Sequence, residues 1–334
     1  MTQRFTTGGT EQMNSRRLIV EVGATVFLIG GVLAATRAMD YLKMSLDNSI
    51  PLATNGLSLW GYMAVTLGII LCVRIFEQLA PIGPNKDITT WFVNLRINIV
   101  YIFTATLVGA FVMAPILSAL SKHLTSGLLN FTFLSHYGAL GLVGTFVLSL
   151  VVFDFFFYWY HRAMHKFPVL WQIHKVHHID PRMDSLSNSR ENFCDALVAG
   201  PLITIPSAVL FNLDSYQVGT LGFVIGFFPV VWPIVYHSNV RMQLGRASVL
   251  INCPQVHRIH HSRLPEHQDR NFCAFLPAMD VLFGTYTPPV RNQYAPTGVE
   301  GEEDVQSLRE AILRTFRGWR QLFLKWRAAP SEAV

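Results

Sequence analysis

Residues 137–166 read YGALGLVGTFVLSLVVFDFFFYWYHRAMHK. Between Tyr137 and Tyr160 the only charged side chain is Asp154. A bilayer core needs about 20 such residues in a helix. The run ends on His161 and His165, four residues apart and therefore on one helical face. An apolar helix that delivers two imidazoles at its end sets the architecture: helices in lipid, polar chemistry at their edge.

Working outward, further apolar regions occupy residues 18–36, 57–73, 98–120 and 196–235. The last is too long for one span, and Asn212, Leu213 and Asp214 interrupt it. It is read as a two-helix hairpin in which Pro201, Pro206, Pro229 and Pro233 break or kink the helices. Arg16 and Arg17 followed by an apolar run resemble a secretory signal, but Glu21 interrupts its start, and a retained first helix is expected. Composition agrees with lipid as solvent: of 334 residues, 51% are hydrophobic and 14% charged, and mean hydropathy is positive.

Basic residues precede the first region (Arg4, Arg16, Arg17), follow the second (Arg74, Lys86, Arg96) and crowd the segment after the fourth (Arg162, Lys166, Lys175, Arg182, Arg190). That alternation predicts both termini and the histidine-rich segments on the cytoplasmic side. The net charge of +5 is ordinary for such loops. With no basic stripe interleaved with aromatics, nucleic acid is not an expected partner. Cys72, Cys194, Cys253 and Cys273 lack CxxC spacing and do not form a disulfide framework. Residues 291–334 are expected to form a C-terminal amphipathic helix, centred on 305–328, and a tail. Its apolar stripe includes Leu308, Ile312, Phe316, Trp319 and Phe323, flanked by arginines. It suits anionic lipid or an acidic electron-transfer protein.

The 12 histidines carry the chemistry. His161 and His165 form HxxxH. His174, His177 and His178 form HxxHH, and His257, His260 and His261 repeat it. His237 stands where the last apolar helix ends. On a helix, the first histidine of HxxHH shares a face with both others, so each cluster can turn two or three rings inward, one of them reaching a neighbouring ion. Neutral imidazole suits iron, zinc and copper. Eight or nine nitrogens exceed the four of a structural zinc and fit two metals. His123 and His136 fall on the opposite side, and His267 is either a further ligand or an exposed loop residue. Asp154, seven residues before His161, is a candidate to orient a ligand histidine; the alternative is a structural bond to Tyr158 or a neighbouring helix.

The expected fold class is an all-α integral membrane protein: about four transmembrane helices plus a helical hairpin, with a cytosolic helical cap holding a di-metal site. With these motifs the chain resembles the fatty acid hydroxylase superfamily, also called the sterol desaturase family. The resemblance rests on the HxxxH and HxxHH clusters, Tyr236-His237-Ser238-Asn239, Pro254, Asp269-Arg270-Asn271-Phe272 and Asp280 through Tyr286. It covers residues 88–290 as the catalytic domain, leaving 1–87 as N-terminal transmembrane helices. It implies two irons held by His161, His165, His174, His177, His178, His257, His260 and His261, with His237 as a ninth ligand. It also implies O2-dependent hydroxylation of an acyl, alkyl or sterol-like lipid, or desaturation. Many members carry Arg-x-His after the second cluster; here Arg190-Glu191-Asn192 stands, leaving Asn192, Glu191 or water to complete the site. Met279 replaces a frequent Trp. No nicotinamide or flavin fingerprint is present. Electrons are therefore expected from a ferredoxin-like or cytochrome b5-like donor and its reductase. A bacterial inner membrane is the favoured location, or the endoplasmic reticulum of a eukaryote. The rivals are a histidine-rich metal transporter, whose ligands would lie near the bilayer midplane, and a zinc hydrolase, which needs only three protein ligands.

Overall fold

The computed structural model describes residues 20, 22–27, 29–30, 59–123, 132–210 and 219–328. α1 is Leu59–Leu79. α2, Ile88–Val108, runs through a π-helical turn at Gly109–Met113 into α3, Ala114–His123. α4 is Gly138–Lys166 and α5 Pro168–His178. α6, Asp195–Ala199, passes through a second π turn, Gly200–Thr204, into α7, Ile205–Leu210. α8 is Gly219–His237, α9 Pro254–His260, α10 Ala278–Leu282 and α11 Leu308–Ala328. Among the described residues there is no strand, only the isolated bridges Pro81–Val240 and Ser262–Thr297.

Among the described residues, two stretches are long and apolar enough to cross a membrane, Ile88–Leu120 and Gly138–Lys166, and Asp195–Ser207 is a shorter apolar helix. The expected count of about four spans draws also on 18–36, most of which lies outside the described residues, as do Asn212, Leu213 and Asp214. α4 divides along its length. One stripe carries Leu140, Val143 and Val147, which are exposed near its start. The same stripe then continues through Leu150, Asp154, Tyr158 and His161, at intervals of four, four and three, which are buried. Phe167, with ψ 118°, and Pro168 at the next position end α4 and start α5, since the residue before a proline favours extended backbone. Of the two expectations for Pro229 and Pro233, a break is not observed. Both lie inside α8 without ending it, and His237 Nδ1 donates to the Pro233 carbonyl at 2.7 Å.

α11 begins at Leu308 and packs on α5. Thr315 Oγ1 donates to the Gln172 carbonyl at 2.8 Å and Trp319 Nε1 to that of Val169 at 2.8 Å. Gly318 permits this approach, because a Cβ there would meet Gln172 Oε1 at 2.0 Å. Past the end of α5 a buried ionic layer ties the loop that follows it to the segment before α2. Lys86 Nζ donates to Asp180 and Asp184, each at 2.7 Å, and to Ser187 at 3.2 Å. Burial alone would push the Asp180 carboxyl up, but Lys86 and Arg190 hold it far below the usual range. Glu77 of α1 accepts from the backbone N–H groups of Ser185 (2.7 Å) and Asn239 (3.0 Å), joining α1, the turn after α5 and the end of α8.

Candidate metal centre

Nine histidines converge where α4, α5, α8 and α9 end. Their ring nitrogens form two groups, with the offered atoms of each group within 4.8 Å of one another: His161, His165, His174, His178 and His260 in one, His177, His237, His257 and His261 in the other. The two HxxHH helices exchange partners. From α5, His174 and His178 join the first group and His177 the second; from α9, His257 and His261 join the second and His260 the first. This follows from a 3.6-residue repeat, in which the i,i+4 pair shares a face and the i+3 ring is swung to its flank. The groups meet where His178 and His261 stack, with ring centroids 4.2 Å apart and planes 14° apart.

Hydrogen bonds fix several tautomers. His161 Nδ1 donates to the Phe272 carbonyl (2.7 Å), His260 Nδ1 to that of Arg270 (2.9 Å) and His237 Nδ1 to that of Pro233 (2.7 Å). A carbonyl only accepts, so the Nε2 atom of each ring presents a lone pair inward. There the Nε2 atoms crowd: His161 to His174 at 2.9 Å, His178 to His174 at 3.1 Å, His237 to His257 at 2.9 Å and His237 to His177 at 3.2 Å. His165 Nε2 and His260 Nε2 are buried with no hydrogen-bond partner. Burial pushes His174 down to about 4 and, despite its bond to the Arg270 carbonyl, His260 to about 3. Converging, desolvated, neutral imidazole lone pairs are a donor set that cations satisfy, so the residues fit a pair of metal ions.

Asp154 does not touch a histidine ring. Its two oxygens accept from the backbone N–H groups of Ala274 (2.6 Å), Phe275 (3.2 Å) and Leu276 (2.6 Å). Asp280 accepts from those of Phe272 (2.7 Å) and Cys273 (3.0 Å). Together they pin the loop whose Phe272 carbonyl orients His161, so Asp154 acts one step further back than a direct histidine partner. His267 Nδ1 bonds Ser262 Oγ at 3.0 Å and belongs to neither group. His136 is exposed in the 3-10 turn before α4 and joins neither group; the side chain of His123 lies outside the description. Asn192 is spent on structure, its Oδ1 accepting from the Cys194 N–H at 3.0 Å and its Nδ2 donating to the Ala311 carbonyl of α11 at 3.4 Å.

Glu191 stands on the outer side of the rings, its carboxyl oxygens 3.2 Å from His177 Nδ1 and 3.5 Å from His174 Nδ1. Burial pushes its carboxyl well above the usual range against the pull of Arg190, and cations held by the rings would favour the carboxylate again. Asp195, which the sequence reading missed, completes a third cluster with His174 and Glu191 and accepts from the hydroxyls of Tyr160 and Tyr101. Its signal was present: an ionisable residue at the threshold of an apolar run. A cavity of about 630 Å3 opens onto both groups, touching His161, His174, His177, His237 and His257. Its remaining wall is mostly apolar, from Met113 and Leu117 to Phe153, Phe157 and Ile203.

Residues 146–285 match the family model described as fatty acid hydroxylase. The chain is 30% identical over 156 residues to an ornithine lipid hydroxylase of Rhizobium tropici, covering 47% of this chain and 46% of that protein. It is 28% identical over 145 residues to an alkylglycerol monooxygenase of Danio rerio, covering 43% and 31%. It is 27% identical over 157 residues to a very-long-chain aldehyde decarbonylase of Oryza sativa subsp. indica, covering 45% and 24%. The chain thus spans less than half the length of these curated relatives. No solved structure gives a significant match.

Proposed function

Because the chain belongs to the fatty acid hydroxylase superfamily through residues 146–285, we propose that it is an O2-dependent membrane lipid hydroxylase in which nine histidines hold two irons. His161, His165, His174, His178 and His260 hold one iron, and His177, His237, His257 and His261 the other. The observation that carries this reading is the cavity: both histidine groups open onto one apolar chamber bounded by the two stretches long enough to cross a membrane. A metal store or transporter has no need of a chamber sized for a small organic molecule, and a hydrolytic zinc site has no need of nine imidazoles.

Bound irons would supply O2 activation: one oxygen atom goes to the C–H bond, and two electrons and two protons from outside the chain reduce the other to water. The protein's own part is placement. Phe153, Phe157, Met113 and Ile203 give the chamber an apolar wall that suits an acyl or alkyl chain, and the same side chains keep water from the reacting carbon. Carbonyl-anchored rings keep lone pairs aimed inward without rearrangement. Electrons come from a separate ferredoxin-like or cytochrome b5-like protein reaching the cap from the cytoplasmic side. The lipid names of the relatives, ornithine lipid and alkylglycerol, support a polar lipid with an unactivated chain carbon as the class of substrate.

The test is expression of the full chain with a donor and reductase under 18O2, followed by lipid mass spectrometry and metal analysis. Two irons per chain and a lipid carrying one added labelled oxygen are expected. A lipid that loses two hydrogens would reassign the reaction to desaturation, and metal efflux without any lipid change would overturn the oxygenase reading.

A further inference from the structure

The outward nitrogens of the nine rings are not supported alike. Those of His161, His237 and His260 each donate to a backbone carbonyl. Those of His174, His177, His257 and His261 are buried and have no hydrogen-bond partner. Of these four, His174 and His177 face one group, the Glu191 carboxylate, at 3.5 and 3.2 Å. His174 belongs to the five-histidine group and His177 to the four-histidine group, so this carboxylate stands behind both groups at once. The competing acceptor, Asp195, is taken up by Tyr160 and Tyr101. Glu191 is held in place through the chain on either side. Arg190 is fixed by Asn94 Oδ1 and the Val176 carbonyl, each at 3.0 Å, and by Asp304. Asn192 caps the turn that follows.

Resting on the two-metal reading above, we propose that Glu191 is a positioning residue shared by the two metals. One oxygen accepts the Nδ1 hydrogen of His174 and the other that of His177, which keeps both Nε2 lone pairs inward. The carboxylate also makes both rings better donors and spreads one negative charge over two cations. A single side chain thereby couples the affinities of the two sites, and neither metal is tuned without the other.

The experiment is a titration of the metal-free full chain in detergent with Co2+, followed by its visible absorption. The wild-type chain should take two equivalents. Glu191→Gln keeps the side-chain shape and one acceptor but turns an amide N–H toward the second imidazole; it should weaken both binding steps by about 10–100-fold. Glu191→Asp, which keeps the charge with a shorter reach, should fall between the two. Helix content of the metal-free variants should equal wild type, which a purely structural role for Glu191 would not allow. If the wild-type chain fails to take two equivalents, the two-metal reading falls with this one. If it takes two while Glu191→Gln binds unchanged or loses affinity at one step only, or if Asp binds no better than Gln, the shared role of Glu191 alone is overturned.

Discussion

α5 and α9 carry the same HxxHH spacing and feed the same two groups, yet different chemistry holds each helix. α5 is braced by charge. Glu191 faces its outward nitrogens, the Lys86–Asp180–Asp184 cluster follows its last turn, and α11 covers its flank. α9 is braced by peptide groups. Asn252 Nδ2 donates to the carbonyls of Cys273 and Ala274, each at 3.2 Å, and its own N–H reaches the Phe275 carbonyl at 2.7 Å. Asp154 and Asp280 then hold that loop from the far side. The motif therefore specifies which rings share a face, while the stiffness of each helix is supplied from distant sequence by unrelated means. Charge demands a buried, fully paired environment; peptide groups demand only a complementary loop.

Three perturbations probe this comparison. The largest effect is expected from removing either exchanged ring. His177→Ala and His260→Ala should each abolish metal loading and lipid product while leaving membrane insertion intact. Full metal content in either purified variant would show that the exchange between helices is not needed. Next, Lys86→Met leaves Asp180 and Asp184 buried without their cation and should cost about 3–5 kcal/mol, read from unfolding of the detergent-solubilised chain. The Asp180 carboxyl lies below its unfolded value, so this contribution is present above the ordinary aspartate range near pH 4 and fades as acid protonates it. A loss under 1 kcal/mol would mean that the ionic layer is not what braces α5. Smallest is Asn252→Ala on the α9 side, at about 1–3 kcal/mol for the carbonyls left unpaired. An Asn252 effect exceeding that of Lys86 would invert the comparison.

Helical periodicity made the rings legible early. HxxxH and HxxHH are local patterns, and a 3.6-residue repeat alone brings His161 beside His165 and turns one ring of each HxxHH triplet aside. The inward face of α4, with Asp154, Tyr158 and His161, follows from the same arithmetic. Asp154 stood out as a charge in an apolar run, but its partners lie some 120 residues onward at Ala274, beyond any local rule. α8 runs through Pro229 and Pro233 although each removes a backbone donor, a loss that helices at membrane depth tolerate more readily than soluble ones.

The sequence by itself determined the histidine clusters, their spacing and their apolar setting, because each depends on residues within a few positions of one another. Only the tertiary structure decided how the rings divide five and four, that His178 and His261 stack at the junction, and that Glu191 stands behind two of them while Asp195 is claimed by tyrosines. Those outcomes depend on which buried polar groups find partners when four helix ends meet, and pairing of that kind is settled by packing across the chain.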